Sequence, residues 1–188
     1  MAVTQPPARR SRPSRPPDIA IKNSILATLL NSEYKRLLPK LEHVELKRGE
    51  IVYRAGHAIE AVYFPDEAVI AMIDTTHDNR TVEVGIIGRE EIVGINIFLG
   101  GIATPDKAIV QLPGGAMRMT SKDLRKEVRF GSPLQRVLLD YTRTFLAVVS
   151  QSVACSQHHN IEQRLARCLL TMSSQPCASS FVRSGTVI

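Results

Sequence analysis

The chain has 188 residues, 44% of them apolar and 22% charged, with a formal net charge of +6. That length suits one domain with part of a second, and the apolar share is enough for a core, which excludes global disorder. No run reaches the roughly 20 apolar residues of a membrane span, because Ser150, Gln151 and Ser152 interrupt the best candidate, Phe145 to Cys155.

Residues 1–17 hold Arg9, Arg10, Arg12 and Arg15 without an acid, and Pro6, Pro7, Pro13, Pro16 and Pro17 break the stretch repeatedly. The first 18 residues therefore read as an extended, unpacked tail. Its arginine pair lacks the apolar segment that a twin-arginine export signal requires. Residues 1–17 carry +4 of the +6, so the high pI says nothing about DNA binding by the folded body. Three cysteines, Cys155, Cys168 and Cys177, are too few and too late to staple a secreted fold, which places the chain in a reducing cytoplasm.

Ile21, Ile25, Leu26, Leu29 and Leu30 form a helical stripe. Asn31 or Ser32 is placed to cap a second short helix carrying Leu37 and Leu38, which Pro39 should end. From Val44 to about Thr120, short segments rich in Val, Ile, Tyr and Thr alternate with turn residues. Strands are expected near 44–47, 50–53, 61–64, 68–75, 81–87, 91–98, 107–112 and 115–119. Evenly spaced short strands indicate an antiparallel sandwich, roll or barrel. The fold class is α+β, mainly β.

A helical pattern resumes at Ser121 and strengthens after Ser132, a capping residue, and Pro133, a good first helical residue. Leu134, Leu138, Tyr141, Phe145, Val148, Ser152, Cys155 and His159 follow steps of four and three, a heptad seam. A helix over 133–160 would be about 40 Å long. Val137, Leu139, Leu146, Val149 and Val153 add apolar surface beside the seam, more than one stripe needs, so the helix is expected to pair with a second copy. The other reading is a single buried helix. Asn160 with Gln163 has capping-box spacing and opens a separate stripe through Ile161, Leu165, Cys168, Leu169 and Met172, which implies a hinge. Residues 161–173 read as one further helix and 174–188 as an irregular tail without helical period.

Enzyme chemistry finds no inventory. His43, His57 and His77 are isolated, and His158 and His159 project about 100° apart on a helix, which suits one metal poorly. The cysteines are separated by 12 and 8 residues, unlike a zinc or iron–sulfur site. No catalytic or metal-ligating residue is assigned. The segment Gly88-Arg89-Glu90-Glu91-Ile92-Val93-Gly94 has the glycines and acids of a small-ligand cradle, with Lys107 as the nearest cation. Gly88, Glu90, Glu91, Gly94 and Lys107 are the candidate ligand residues. Ordinary β-turns with solvated charges remain the other reading.

The order of these parts resembles a known family. Two short helices, a roll opening with Glu45-Leu-Lys-Arg-Gly-Glu-Ile-Val-Tyr-Arg-Ala-Gly56, then Val62-Tyr-Phe-Pro65, the cassette and a long helix look like the Crp/Fnr-type bacterial transcription regulators. His159-Asn-Ile-Glu-Gln-Arg-Leu-Ala-Arg167 is similar to the point where their dimer helix hands over to the DNA-binding domain. The resemblance covers about residues 20–173. It implies a cyclic-nucleotide-binding-type β-roll at 19–132, a dimer helix at 133–160, a homodimer, and DNA as a partner.

Two departures bear on function. The family's cassette holds the cyclic phosphate with the arginine of an Arg-Ser/Thr-Ala triplet, which aligns here with Asp106-Lys107-Ala108. An aspartate there repels phosphate, and Lys107 lacks the planar fork of arginine, so cyclic AMP is not expected and any other effector is open. Only 15 residues follow Ser173, where the family carries a helix-turn-helix, so specific DNA binding by this chain is expected to be impaired. The leading expectation is the sensory and dimerisation part of such a regulator. The alternatives are a module that heterodimerises with full-length relatives and a stand-alone small-ligand sensor.

Overall fold

The computed structural model describes residues 21–75, 78, 80–158, 162, 163 and 166, with the side chains of 152–158 outside that description. The Pro/Arg-rich tail, the hinge at Asn160, the expected helix at 161–173 apart from residues 162, 163 and 166, and the tail at 174–188 lie outside the described residues, as do His77 and His159.

The expected stripe from Ile21 to Leu30 is broken. Helix α1 is a single turn, Ser24–Ala27, capped by Asn23, whose side chain accepts from the backbone N–H groups of Ile25 and Leu26. Helix α2 spans Asn31–Leu37, so Asn31 is its first residue and not its cap, and Leu30 stands at the cap position without a side-chain bond. The α-helix ends at Leu37, two residues before Pro39, and the chain tightens into the 3₁₀ segment Leu38–Lys40, where proline's missing N–H is harmless.

Seven strands follow: β1 (Glu42–Leu46), β2 (Ile51–Tyr53), β3 (Ala61–Pro65), β4 (Val69–Thr75), β5 (Thr81–Ile87), β6 (Lys107–Leu112) and β7 (Gly114–Thr120). They form two antiparallel sheets, β1-β7-β3 and β2-β6-β4-β5. The inner faces enclose Phe64, Val62, Ile70, Val110, Met119 and Ile92, all essentially removed from water. Between β2 and β3 the chain bonds to the loop before β6, with the Gly56 N–H donating to Thr104 O at 2.8 Å and the Ile59 N–H to Ile102 O at 2.8 Å. These bonds close the mouth of the roll.

Residues 91–98 are not a strand, which corrects the sequence expectation. Only Val93 bridges to Tyr63; Gly94 then turns left-handed at φ 88° and Ile95–Ile97 form a 3₁₀ turn. The apolar run looked like a strand because Ile92, Val93 and Ile97 are buried, yet they plug the roll from a loop. A short apolar run does not by itself distinguish these two ways of filling a core.

Helix α3 spans Ser121–Glu127 with Thr120 as its cap. Its buried Glu127 meets Arg36 at 3.0 Å and also pairs with Lys40, tying α3 to the N-terminal helices. Helix α4 spans Pro133–His158, and Ser132 Oγ accepts from the Gln135 N–H at 3.1 Å, a cap that its position before Pro133 foretold.

Candidate ligand cassette and dimer helix

The loop between β5 and β6 carries four of the candidate ligand residues, and it does not gather them around a common space. The Gly88 N–H donates to Glu91 Oε2 at 2.8 Å, so these two meet each other. Glu91 is turned inward, and burial pushes its carboxyl up to about 7 against the pull of the Gly88 N–H, with Glu90 raising it slightly further. Glu90 itself is exposed. A Cβ at Gly94 would stand 3.3 Å from Val62 Cγ1 on a positive φ, so this glycine answers to packing inside the chain. Lys107 is half-buried at the start of β6, and among the described residues no hydrogen bond or ion pair joins it to Glu90 or Glu91.

Asp106 is engaged from within the chain. Its Oδ2 accepts from the Tyr53 hydroxyl at 3.1 Å and its Oδ1 from the Thr104 hydroxyl. Tyr53 belongs to β2, and its hydroxyl also lies 3.3 Å from Met72 Sδ on β4. Burial raises the Tyr53 phenol well above its ordinary value, and the Asp106 charge raises it further, so it stays a donor at any physiological pH. Asp106 is therefore a carboxylate already satisfied by two hydroxyls. It offers an incoming phosphate repulsion and no donor.

Helix α4 divides into two parts along the expected seam. Leu134 and Leu138 are 0% exposed and belong to the core of their own chain. Tyr141 is half-buried against the same core, and burial followed by the Glu91 charge raises its phenol, while a hydrogen bond from the Ile92 backbone N–H pulls the other way. Tyr141 thus rests on the cassette. Its ring stacks on Phe145, with centroids 6.0 Å apart. From there outward Phe145, Leu146, Val148 and Val149 are exposed, as is Leu139. The side chains of Ser152 and Cys155 lie outside the described residues.

Two positions escaped the sequence reading. Asn23 is 0% exposed and donates Nδ2–H bonds to the carbonyls of Pro65 (3.0 Å), Arg89 (2.8 Å) and Glu91 (3.0 Å). It pins the first helix to the cassette entry. A capping residue just before Ser24 was the visible signal; its three carbonyl partners, 42 or more residues away, left none. Tyr53, read only as part of a strand, proved to hold Asp106. Beside it a cleft of about 280 Å³ opens between β2 and the outer faces of β3 and β7, lined by Tyr53, Arg54, His57, Glu60, Tyr63 and Arg118. Arg118 is paired with Glu42 at 3.1 Å, and Arg54 and Glu60 bring opposite charges to the same cleft.

Residues 43–129 match the cyclic nucleotide-binding domain family. The β-roll has the cyclic nucleotide-binding fold. Among curated proteins no sequence matches the chain. Solved structures share this fold at low identity. The c-di-GMP responsive global regulator CLP of Xanthomonas campestris is 16% identical with a TM-score of 0.62, over 77% of this chain and 73% of that one. The N-terminal domain of a transcriptional regulator from Streptomyces coelicolor is 17% identical with a TM-score of 0.53, over 70% and 94%. The catabolite activator protein of Thermus thermophilus is 14% identical with a TM-score of 0.54, over 80% and 64%. In the present chain the roll is followed by the long helix α4, Pro133–His158. Among the described residues no helix is long and apolar enough to cross a membrane, and no group of three or more His, Cys, Asp and Glu is placed to hold a metal.

Proposed function

We propose that this chain is the sensory and dimerisation part of a Crp/Fnr-type transcription regulator, working as a homodimer through α4. The observation that carries the reading is the change of surroundings along that helix. Leu134 and Leu138 anchor it in its own roll, whereas Phe145, Leu146, Val148 and Val149 leave the roll with their apolar surface in water. Such a stripe is stabilised when a second helix covers it, at roughly 25 cal/mol per Å² removed from water. Pairing would set two rolls side by side, with Tyr141 passing the state of the cassette to the seam.

The effector is not a cyclic mononucleotide in this reading. The resemblance puts Asp106 where the family holds phosphate with an arginine, and the Tyr53 and Thr104 hydroxyls beside it are used on its carboxylate. The Xanthomonas neighbour is described as c-di-GMP responsive, which supports a fold open to other effectors. Isothermal calorimetry with cyclic AMP and cyclic GMP tests this directly. No heat is expected at micromolar ligand, and a saturable isotherm would overturn the exclusion.

A further inference from the structure

We propose that the exposed face of α3, together with the two loop tips beside it, is a docking surface for an acidic, apolar-anchored segment of a partner protein. Lys122, Arg125, Lys126 and Arg129 are all exposed on or just after this helix. The helix carries two acids, and both are committed elsewhere. Asp123 takes a hydrogen bond from the Thr120 hydroxyl at 2.7 Å, and Glu127 is buried against Arg36 and Lys40. The outward face is left with four cations and no carboxylate.

Large apolar side chains stand beside those cations. Phe130 is 100% exposed, Ile102 65% and Leu99 56%. Arg125 Nη2 donates to Gly101 O at 3.2 Å, which sets the guanidinium at the Leu99–Ile102 loop. Arg129 Nε donates to Lys126 O at 3.4 Å, directly before Phe130. Basic and apolar groups therefore form one patch. A fully exposed phenylalanine has no role in the chain's own core, and aromatic and arginine side chains concentrate at protein interfaces.

The arginine geometry favours a protein partner over a lipid surface or nucleic acid. Two guanidinium groups are held by backbone carbonyls through one N–H each. Among the described residues their other donors meet no partner, and they form a planar fork that matches a carboxylate in bidentate fashion. Holding them in place beforehand lowers the ordering cost of binding. A lipid surface needs only diffuse charge, and nucleic-acid interfaces are more polar than a patch carrying three large apolar side chains.

The probe is a fluorescein-labelled synthetic 16-residue peptide with leucines at helical spacing and glutamates elsewhere, titrated by anisotropy in 0.15 M salt. The full chain should bind it saturably. Arg125→Glu with Arg129→Glu should weaken binding at least tenfold, and Phe130→Ser about fivefold, with unchanged circular dichroism. A peptide with glycine in place of leucine should bind at least fivefold more weakly. The patch lies apart from the α4 stripe, so Phe145→Asp protein should bind like the native chain whatever its oligomeric state. Failure of the native chain to bind, equal binding of the leucine-free peptide, or indifference to the arginine changes would overturn the proposal. Tighter binding to phosphatidylglycerol vesicles or duplex DNA through the same arginines would also overturn it.

Discussion

The Tyr53 hydroxyl donates to Asp106 Oδ2 at 3.1 Å, joining β2 to the residue just before β6. With the Thr104 hydroxyl, which also donates to Asp106, the bond holds this carboxylate inside the chain. Removing the carboxylate strands the hydroxyls of the buried Thr104 and Tyr53 without adding a phosphate donor. Asp106→Ala is expected to cost about 1–3 kcal/mol, measured by urea denaturation, and to leave cyclic AMP unbound. Unchanged stability would show that the bond is not made.

Asn23 should be the costliest polar residue to remove from the N-terminal segment. Asn23→Ala loses the cap of α1 and takes a side-chain donor from the carbonyls of Pro65, Arg89 and Glu91, of which Arg89 keeps the Ser24 N–H. We expect a loss of about 2–3 kcal/mol, against about 1 kcal/mol for an ordinary cap. Hydrogen exchange should rise at Ser24, whose N–H donates to Arg89 O at 3.0 Å. A loss confined to the cap value would mean that the cassette is held without Asn23.

Glu91 makes stability depend on pH in a defined direction. Its carboxyl lies at about 7 in the folded chain, above its unfolded value, so the folded state binds the extra proton between those two limits. Stability from this group is therefore full at low pH and falls as pH rises from about 4.5 through 7. Glu91→Gln keeps an acceptor for Gly88 and removes the titration. The native-minus-variant difference in unfolding free energy should decline from pH 5 to pH 8, and a flat difference would show that Glu91 is not buried as described.

Much of the fold could be read from the chain, and the failures have physical causes. Alternating Val, Ile and Tyr marked β3 through β6 because one face of each strand must be apolar. The same chemistry misplaced Ile92 and Val93, which fill the roll from a loop that Gly94 turns. The heptad from Leu134 to Val148 was visible, but apolar spacing does not say whose core a side chain enters. Leu134 and Leu138 entered their own roll, and the exposed surface begins at Leu139. Asp106 could be singled out in the sequence by its charge. Its partners could not, because Tyr53 lies 53 residues away and meets it only through the pairing of β2 with β6.

The central claim is that α4 pairs two copies, and the solution mass of native and Phe145→Asp protein tests it most directly. Light scattering should give twice the 20.8 kDa chain mass for the native protein and a single chain for the variant, since pairing would bury an uncompensated carboxylate. Circular dichroism should show both folded. A native protein with the mass of one chain, or a variant that keeps the mass of two, would contradict the account.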